Sequence, residues 1–118
     1  QTIVSLCREK QVIPKVIFET AYLTQEEKIA LCQIAKEIRP DFIKTSTGFA
    51  PSGATFEDIT LMKQYVGEDV AIKAAGGIRD AETFLKMIQL GASRIGTSSG
   101  ISIIETLKAD ALDGYITI

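Results

Sequence analysis

Apolar residues along this chain fall into two alternating patterns: short, nearly continuous runs rich in β-branched residues, and longer stretches where they return every third or fourth position. The first marks a strand covered on both faces and the second an amphipathic helix. Lys15 to Thr20, Asp41 to Ser46, Val70 to Ala74 and Ser93 to Thr97 therefore predict strands. Thr24-Gln25-Glu26-Glu27 reads as a capping box for a helix through Ile29, Cys32 and Ile38 that stops before Pro40. Thr55 caps a helix carrying Ile59, Met62 and Val66, closed by Gly67. Asp80 caps another with Phe84, Met87 and Ile88 on one face and Gly91 as its stop. A last helix is expected from Ile101 to Lys108, with residues 109–118 as a C-terminal tail. Ahead of the first strand, Ile3, Leu6 and Cys7 predict a helix over Thr2 to Lys10, and Pro14 ends any helix before the strand.

Four strand-helix units follow one another, their strands starting roughly 25 to 30 residues apart, the spacing of a parallel βα repeat with right-handed crossovers. A doubly wound open sheet and a (β/α)8 barrel both use that repeat. A barrel takes eight units and typically about 250 residues, so this chain would form one half-barrel domain over residues 1–118. The polar residues choose between the two. Phe42 and Lys44 share one face of their strand and Ala71 and Lys73 share one face of the next, opposite Ile43 and Ile72. A sheet sandwiched between helices would bury both lysines without partners, at severe cost. A barrel offers them its open mouth, at the C-terminal ends of the strands.

Composition narrows the chemistry further. The 118 residues carry a net charge of −2 with no basic stripe, which argues against a nucleic-acid partner. No apolar run is long enough to span a membrane and no leader precedes the first helix, so the expected setting is the cytoplasm, with Cys7 and Cys32 as free thiols. The chain begins at Gln1, a hint that it was cut from something longer. It contains no histidine. That excludes Ser-His-Asp and Cys-His nucleophiles and makes a zinc site improbable, leaving lysine, carboxylate and hydroxyl chemistry.

Within that repertoire, Asp41-Phe42-Ile43-Lys44-Thr45-Ser46-Thr47-Gly48 delivers an amine to the end of a buried strand and follows it with hydroxyls and a glycine. Lys73 occupies a matching place before Ala74-Ala75-Gly76-Gly77. A free lysine, with a pKa of about 10.4, is protonated at neutral pH and cannot attack a carbonyl. Burial and a neighbouring ammonium both lower that value, and adjacent strands about 4.8 Å apart would bring two such lysines together. Lys44 is the candidate Schiff-base nucleophile and Lys73 its charge and proton-transfer partner. Gly96 to Gly100 lead into a helix whose N-terminal N–H groups attract an anion.

At these residues the chain resembles the 2-deoxyribose-5-phosphate aldolases, class I aldolases with the (β/α)8 fold. The resemblance runs from Lys15-Val16-Ile17-Phe18-Glu19-Thr20 through Asp41 to Phe49 and Ile72-Lys73-Ala74-Ala75-Gly76-Gly77-Ile78-Arg79 to Arg94-Ile95-Gly96-Thr97-Ser98-Ser99. It implies that Lys44 forms the imine with the substrate carbonyl and that Lys73 assists by charge and proton transfer. It also implies a phosphate site from Gly48, Gly76, Gly77, Ser98 and Ser99, to which we add Gly96, Thr45 and Thr47 as candidate substrate contacts. The implied reaction is reversible cleavage of 2-deoxy-D-ribose 5-phosphate to glyceraldehyde 3-phosphate and acetaldehyde, without a cofactor or metal. The implied piece is the C-terminal half of the barrel.

The family's first four strands, and an aspartate that works with the two lysines, are missing from this stretch. A half barrel leaves two strand edges unpaired, so the other half of the barrel or a second copy is the expected partner besides a small phosphorylated sugar. Other readings stay open. Thr45 and Thr47 could serve backbone groups at the strand end, Ser98 and Ser99 could be helix caps, and Arg79 could steer phosphate or be merely exposed. Glu19 could pair with a site lysine or be structural. Tyr115 is a candidate for the tail tyrosine that some family members bring to the site. At the level of function, the alternatives are a Schiff-base aldolase for another phosphorylated sugar and a non-catalytic phosphate-binding half barrel.

Overall fold

A computed structural model describes all residues from Gln1 to Ile118. The order is α1 (Thr2–Glu9), β1 (Lys15–Ile17), a 3-10 turn (Thr20–Tyr22), α2 (Gln25–Ile38), β2 (Phe42–Lys44), α3 (Phe56–Val66), β3 (Ala71–Ala75), α4 (Ala81–Gln89), β4 (Ala92–Gly96) and α5 (Gly100–Asp110). The strands form a single sheet in the order β1-β2-β3-β4, every pair parallel. A doubly wound sheet reverses its strand order midway, whereas an unbroken sequential order with crossovers of one hand keeps every helix on one side, as a barrel requires. The chain is thus four parallel βα units, half of a (β/α)8 barrel.

The helices start where the sequence provides caps. Thr24 and Glu27 complete the capping box of α2, Thr55 accepts the Asp58 N–H, and Asp80 accepts the Thr83 N–H. The Thr83 backbone and hydroxyl bonds hold the Asp80 carboxyl below its usual range. Helices α2, α3, α4 and α5 pack each on the next and bury one face of the sheet. Ile43, Ile72 and Ala74 meet Cys32, Ile59, Met62, Val66, Met87 and Ile103 in one core. Burial pushes the Cys32 thiol up to about 11, which makes it an inert packing group.

The first two strands are shorter than the sequence suggests, whereas β3 and β4 keep the expected five residues, each shifted by one position. β1 stops at Ile17, because Glu19 adopts a left-handed backbone (φ 56°, ψ 62°) and Thr20–Tyr22 turn into 3-10 geometry. Nor is β1 covered on both faces: Val16 and Ile17 are 42% and 43% exposed, since this strand sits at the open edge with its inner face bare. β2 likewise ends at Lys44, and α1 ends at Glu9, well short of Pro14, with Gln11 left-handed. Helix α5 runs through Asp110, and beyond it Asp113 and Gly114 turn the chain back so that Leu112 and Tyr115 pair. Only 22 of 118 residues are buried, as expected when one sheet face and both sheet edges face solvent.

Candidate active site

The uncovered face of the sheet is set by strand alternation. Lys15, Phe42, Lys44, Ala71, Lys73 and Arg94 all point away from the helices. Lys44 is the direct register partner of Lys73, and Lys73 that of Arg94. Both candidate lysines are half-buried, and neither joins an ion pair. Phe42, one layer below, lies under the Arg94 guanidinium at 4.2 Å and the Lys15 ammonium at 5.9 Å from its ring centroid, so its π face holds the two outer cations.

Four cations and no carboxylate therefore share one surface. The Lys73 amine is pulled below the ordinary lysine range, first by burial and then by the charges of Lys15, Lys44 and Arg94. Lys15 and Arg94 escaped the sequence reading: Lys15 stands in register with Phe42, and Arg94 meets Lys73 through a register irregularity after Ile72 that local alternation does not reveal.

Beyond the strand ends lies a cavity of about 350 Å³ that brings together Lys44, Thr47, Gly48, Gly76, Gly77, Gly96 and Ser98 with Ala75, Ile78, Arg79 and Thr97. The N–H groups of Gly48, Gly76, Gly77 and Ser98 donate to no other part of the chain. Left-handed φ values at Gly48 (+100°), Gly76 (+90°) and Gly77 (+78°) are what these turns require, and a side chain at any of them would be strained. Free backbone donors around a lysine make an anion-binding concavity.

Other predicted contacts have different surroundings. Thr45 is fully buried, and its hydroxyl both donates to Ala75 O and accepts from Ala75 N, each at 3.2 Å, locking β2 to β3. The Thr47 hydroxyl donates to Glu19, and the Thr47 N–H reaches both oxygens of that carboxylate at 3.1 and 3.2 Å. Glu19 is thus engaged by a loop, with no lysine in an ion pair with it. Ser99 is the N-cap of α5 without a side-chain cap bond, and it stands outside the cavity lining, as Lys73 does. Tyr115 is 80% exposed and its backbone bonds only to Leu112.

Two structural residues, Thr97 and Gly53, were not singled out in the sequence, and Gly96, expected as a substrate contact, also has a packing role. Thr97 donates its hydroxyl to Ile78 O and accepts the Ser99 N–H, tying the loop after β4 to the one after β3. Gly53 lies so close to Gly76 that a Cβ would come within 2.3 Å of the Gly76 carbonyl, while the Ala54 N–H bonds Ala75 O and Gly76 O. Gly96 leaves room for Lys73: a Cβ there would sit 3.1 Å from Lys73 Cε and 3.0 Å from Ala75 Cβ. None of these distances follows from local pattern, because each depends on two loops or strands meeting.

Comparison with known proteins sets this geometry in context. The family model described as DeoC/LacD family aldolase matches residues 4–105. A deoxyribose-phosphate aldolase of Lactobacillus acidophilus is 53% identical over 116 residues, covering 98% of this chain and 49% of that protein. One from Bacteroides thetaiotaomicron is 56% identical over 108 residues, covering 92% and 45%. Among solved structures, the aldolase QR15 superposes with a TM-score of 0.83 at 49% identity, covering 91% of this chain and 49% of its own. An Aeropyrum pernix deoxyribose phosphate aldolase, described as tetrameric, gives 0.81 at 27% identity, with coverage of 93% and 47%. The chain spans about half the length of the curated relatives it matches. No helix is long and apolar enough to cross a membrane.

Proposed function

We infer the function from one premise: this chain belongs to the DeoC/LacD family of aldolases. The reading that its site supports best is reversible aldol cleavage of 2-deoxy-D-ribose 5-phosphate by way of a Schiff base on Lys44. The observation that carries it is the direct register of Lys44 with Lys73 on the open face of the sheet, beside a cavity lined by unpaired N–H groups.

In this reading the neutral Lys44 amine attacks C1 of the open-chain sugar, and loss of water leaves a protonated imine. A proton then leaves the C3 hydroxyl, the C2–C3 bond breaks, and its electron pair passes into the imine to give an enamine. Glyceraldehyde 3-phosphate departs, C2 takes up a proton, and water hydrolyses the resulting imine to free acetaldehyde and Lys44. Lys73 relays these protons, for which its lowered pKa suits it. The imine nitrogen is the electron sink, so the chemistry asks for no cofactor. The phosphate lies against Gly76, Gly77, Gly96 and Ser98, near the N-terminus of α5, with Gly48 closing the near side.

The activity belongs to the completed barrel, whose other four βα units would cover the inner face and pair with the open edges of β1 and β4; a second copy is the fallback occupant. The two free cysteines suit a reducing cytoplasmic setting. The test is borohydride reduction in the presence of deoxyribose 5-phosphate, then of a ketose phosphate, followed by peptide mapping and product assay on the full-length protein. A two-carbon adduct on Lys44 with release of glyceraldehyde 3-phosphate is expected. Cleavage of the ketose alone would point to a different sugar-phosphate aldolase, and phosphate binding without any adduct to a non-catalytic module.

A further inference from the structure

The loop that follows Lys44 is held by a side chain from a different strand-helix unit. Glu19 stands just past β1, and its carboxylate accepts the Thr47 N–H on both oxygens and the Thr47 hydroxyl as well. The Thr47 oxygen in turn accepts the Phe49 N–H at 3.3 Å. These bonds bracket Gly48, which lines the cavity with an unpaired N–H and a φ of +100°. Nothing comparable restrains the loop otherwise: Thr47, Gly48 and Phe49 are exposed, Phe49 by 96%. The brace also costs something locally, because Glu19 holds a left-handed backbone that a non-glycine residue seldom adopts. An observed outlier tied to the turn beside a candidate nucleophile points to function rather than to bulk stability.

We propose that Glu19 is a positioning residue of the site: through Thr47 it fixes the turn that aims the Gly48 N–H into the cavity, and thereby sets how well a phosphorylated substrate is held. It touches no reacting atom. Its effect falls on the part of the ligand beyond the carbonyl, since Lys44 itself is placed by β2 and not by this loop. This role rests on the Schiff-base reading above. It also explains the Thr47 hydroxyl, whose donor is committed to Glu19 and whose acceptor is committed to Phe49, leaving it a structural link in the turn.

The test compares the full-length protein with its Glu19→Ala and Glu19→Gln variants in two measurements. One is amide hydrogen exchange at Thr47 and Phe49. The other is the concentration giving half-maximal borohydride-trapped adduct on Lys44, with deoxyribose 5-phosphate and with acetaldehyde. In Glu19→Ala, protection at Thr47 should be lost and half-saturation by the sugar phosphate should rise about tenfold or more, as misplaced site groups do. Half-saturation by acetaldehyde, which has nothing to place beyond its carbonyl carbon but a methyl, should stay within about twofold. Glu19→Gln keeps an acceptor for the Thr47 N–H and should recover most of both effects. Unchanged exchange in Glu19→Ala, or an equal loss for the two aldehydes, would overturn the proposal while leaving Lys44 as the nucleophile. A wild-type protein that forms no adduct with either aldehyde would instead reject the Schiff-base reading itself and reduce Glu19 to a brace of the fold.

Discussion

Ile43 and Lys44 are neighbours in one strand, as are Ile72 and Lys73 in the next, yet each pair lives in two solvents. On the helix side, Ile43 and Ile72 are essentially inaccessible and packed among aliphatic side chains. On the other side, Lys44 and Lys73 stand in register on an open cationic surface with Lys15 and Arg94 nearby. One face makes the sheet stable by removing hydrocarbon from water. The opposite face is kept polar and crowded, which costs stability and lowers the proton affinity of an amine. A two-residue period lets one strand do both.

That contrast can be broken most sharply at Lys44. Lys44→Met should abolish adduct formation with acetaldehyde, a fall of at least roughly a thousandfold, while thermal unfolding changes little, because no ion pair or core contact depends on the amine. On the opposite face the reverse holds. Ile72→Ala removes a fully buried side chain and should cost about 2–5 kcal/mol in denaturant unfolding, by transfer and cavity terms together.

How legible each face was follows from the same contrast. The helix-side face, the caps at Thr24, Thr55 and Asp80, and the sequential parallel order all come from local period and spacing, and the structure reproduces them. Lys44 beside Lys73 was readable because both lie on strands whose parity is set by adjacent isoleucines. The ends of β1 and β2 were not, since Glu19 leaves the extended region to reach Thr47, a contact between distant segments. Thr45 shows the limit well. Sequence offers a hydroxyl beside the nucleophile, but only the register of β3 reveals that Ala75 occupies both its donor and its acceptor.

A smaller perturbation probes the seam between the faces. Gly96→Ala would put a methyl against Ala75 Cβ and Lys73 Cε, and should cost about 1 kcal/mol of stability while slowing adduct formation on Lys44 by displacing its partner. The smallest effect is one of pH. Because the folded chain holds the Lys73 proton less tightly than the unfolded chain does, the unfolded state binds more protons between the lowered folded pKa and the ordinary value of about 10.4. Stability should therefore rise as pH increases through that window and stay level below it. Lys73→Met should flatten that part of the melting-temperature profile.

The most direct measurement is an NMR titration of the Lys73 side chain in the wild-type chain and in Lys15→Met and Lys44→Met variants. The crowded-cation account predicts a midpoint below the ordinary lysine value of about 10.4 that climbs when either neighbouring charge is removed. A midpoint at the ordinary value, unmoved by both substitutions, would contradict it.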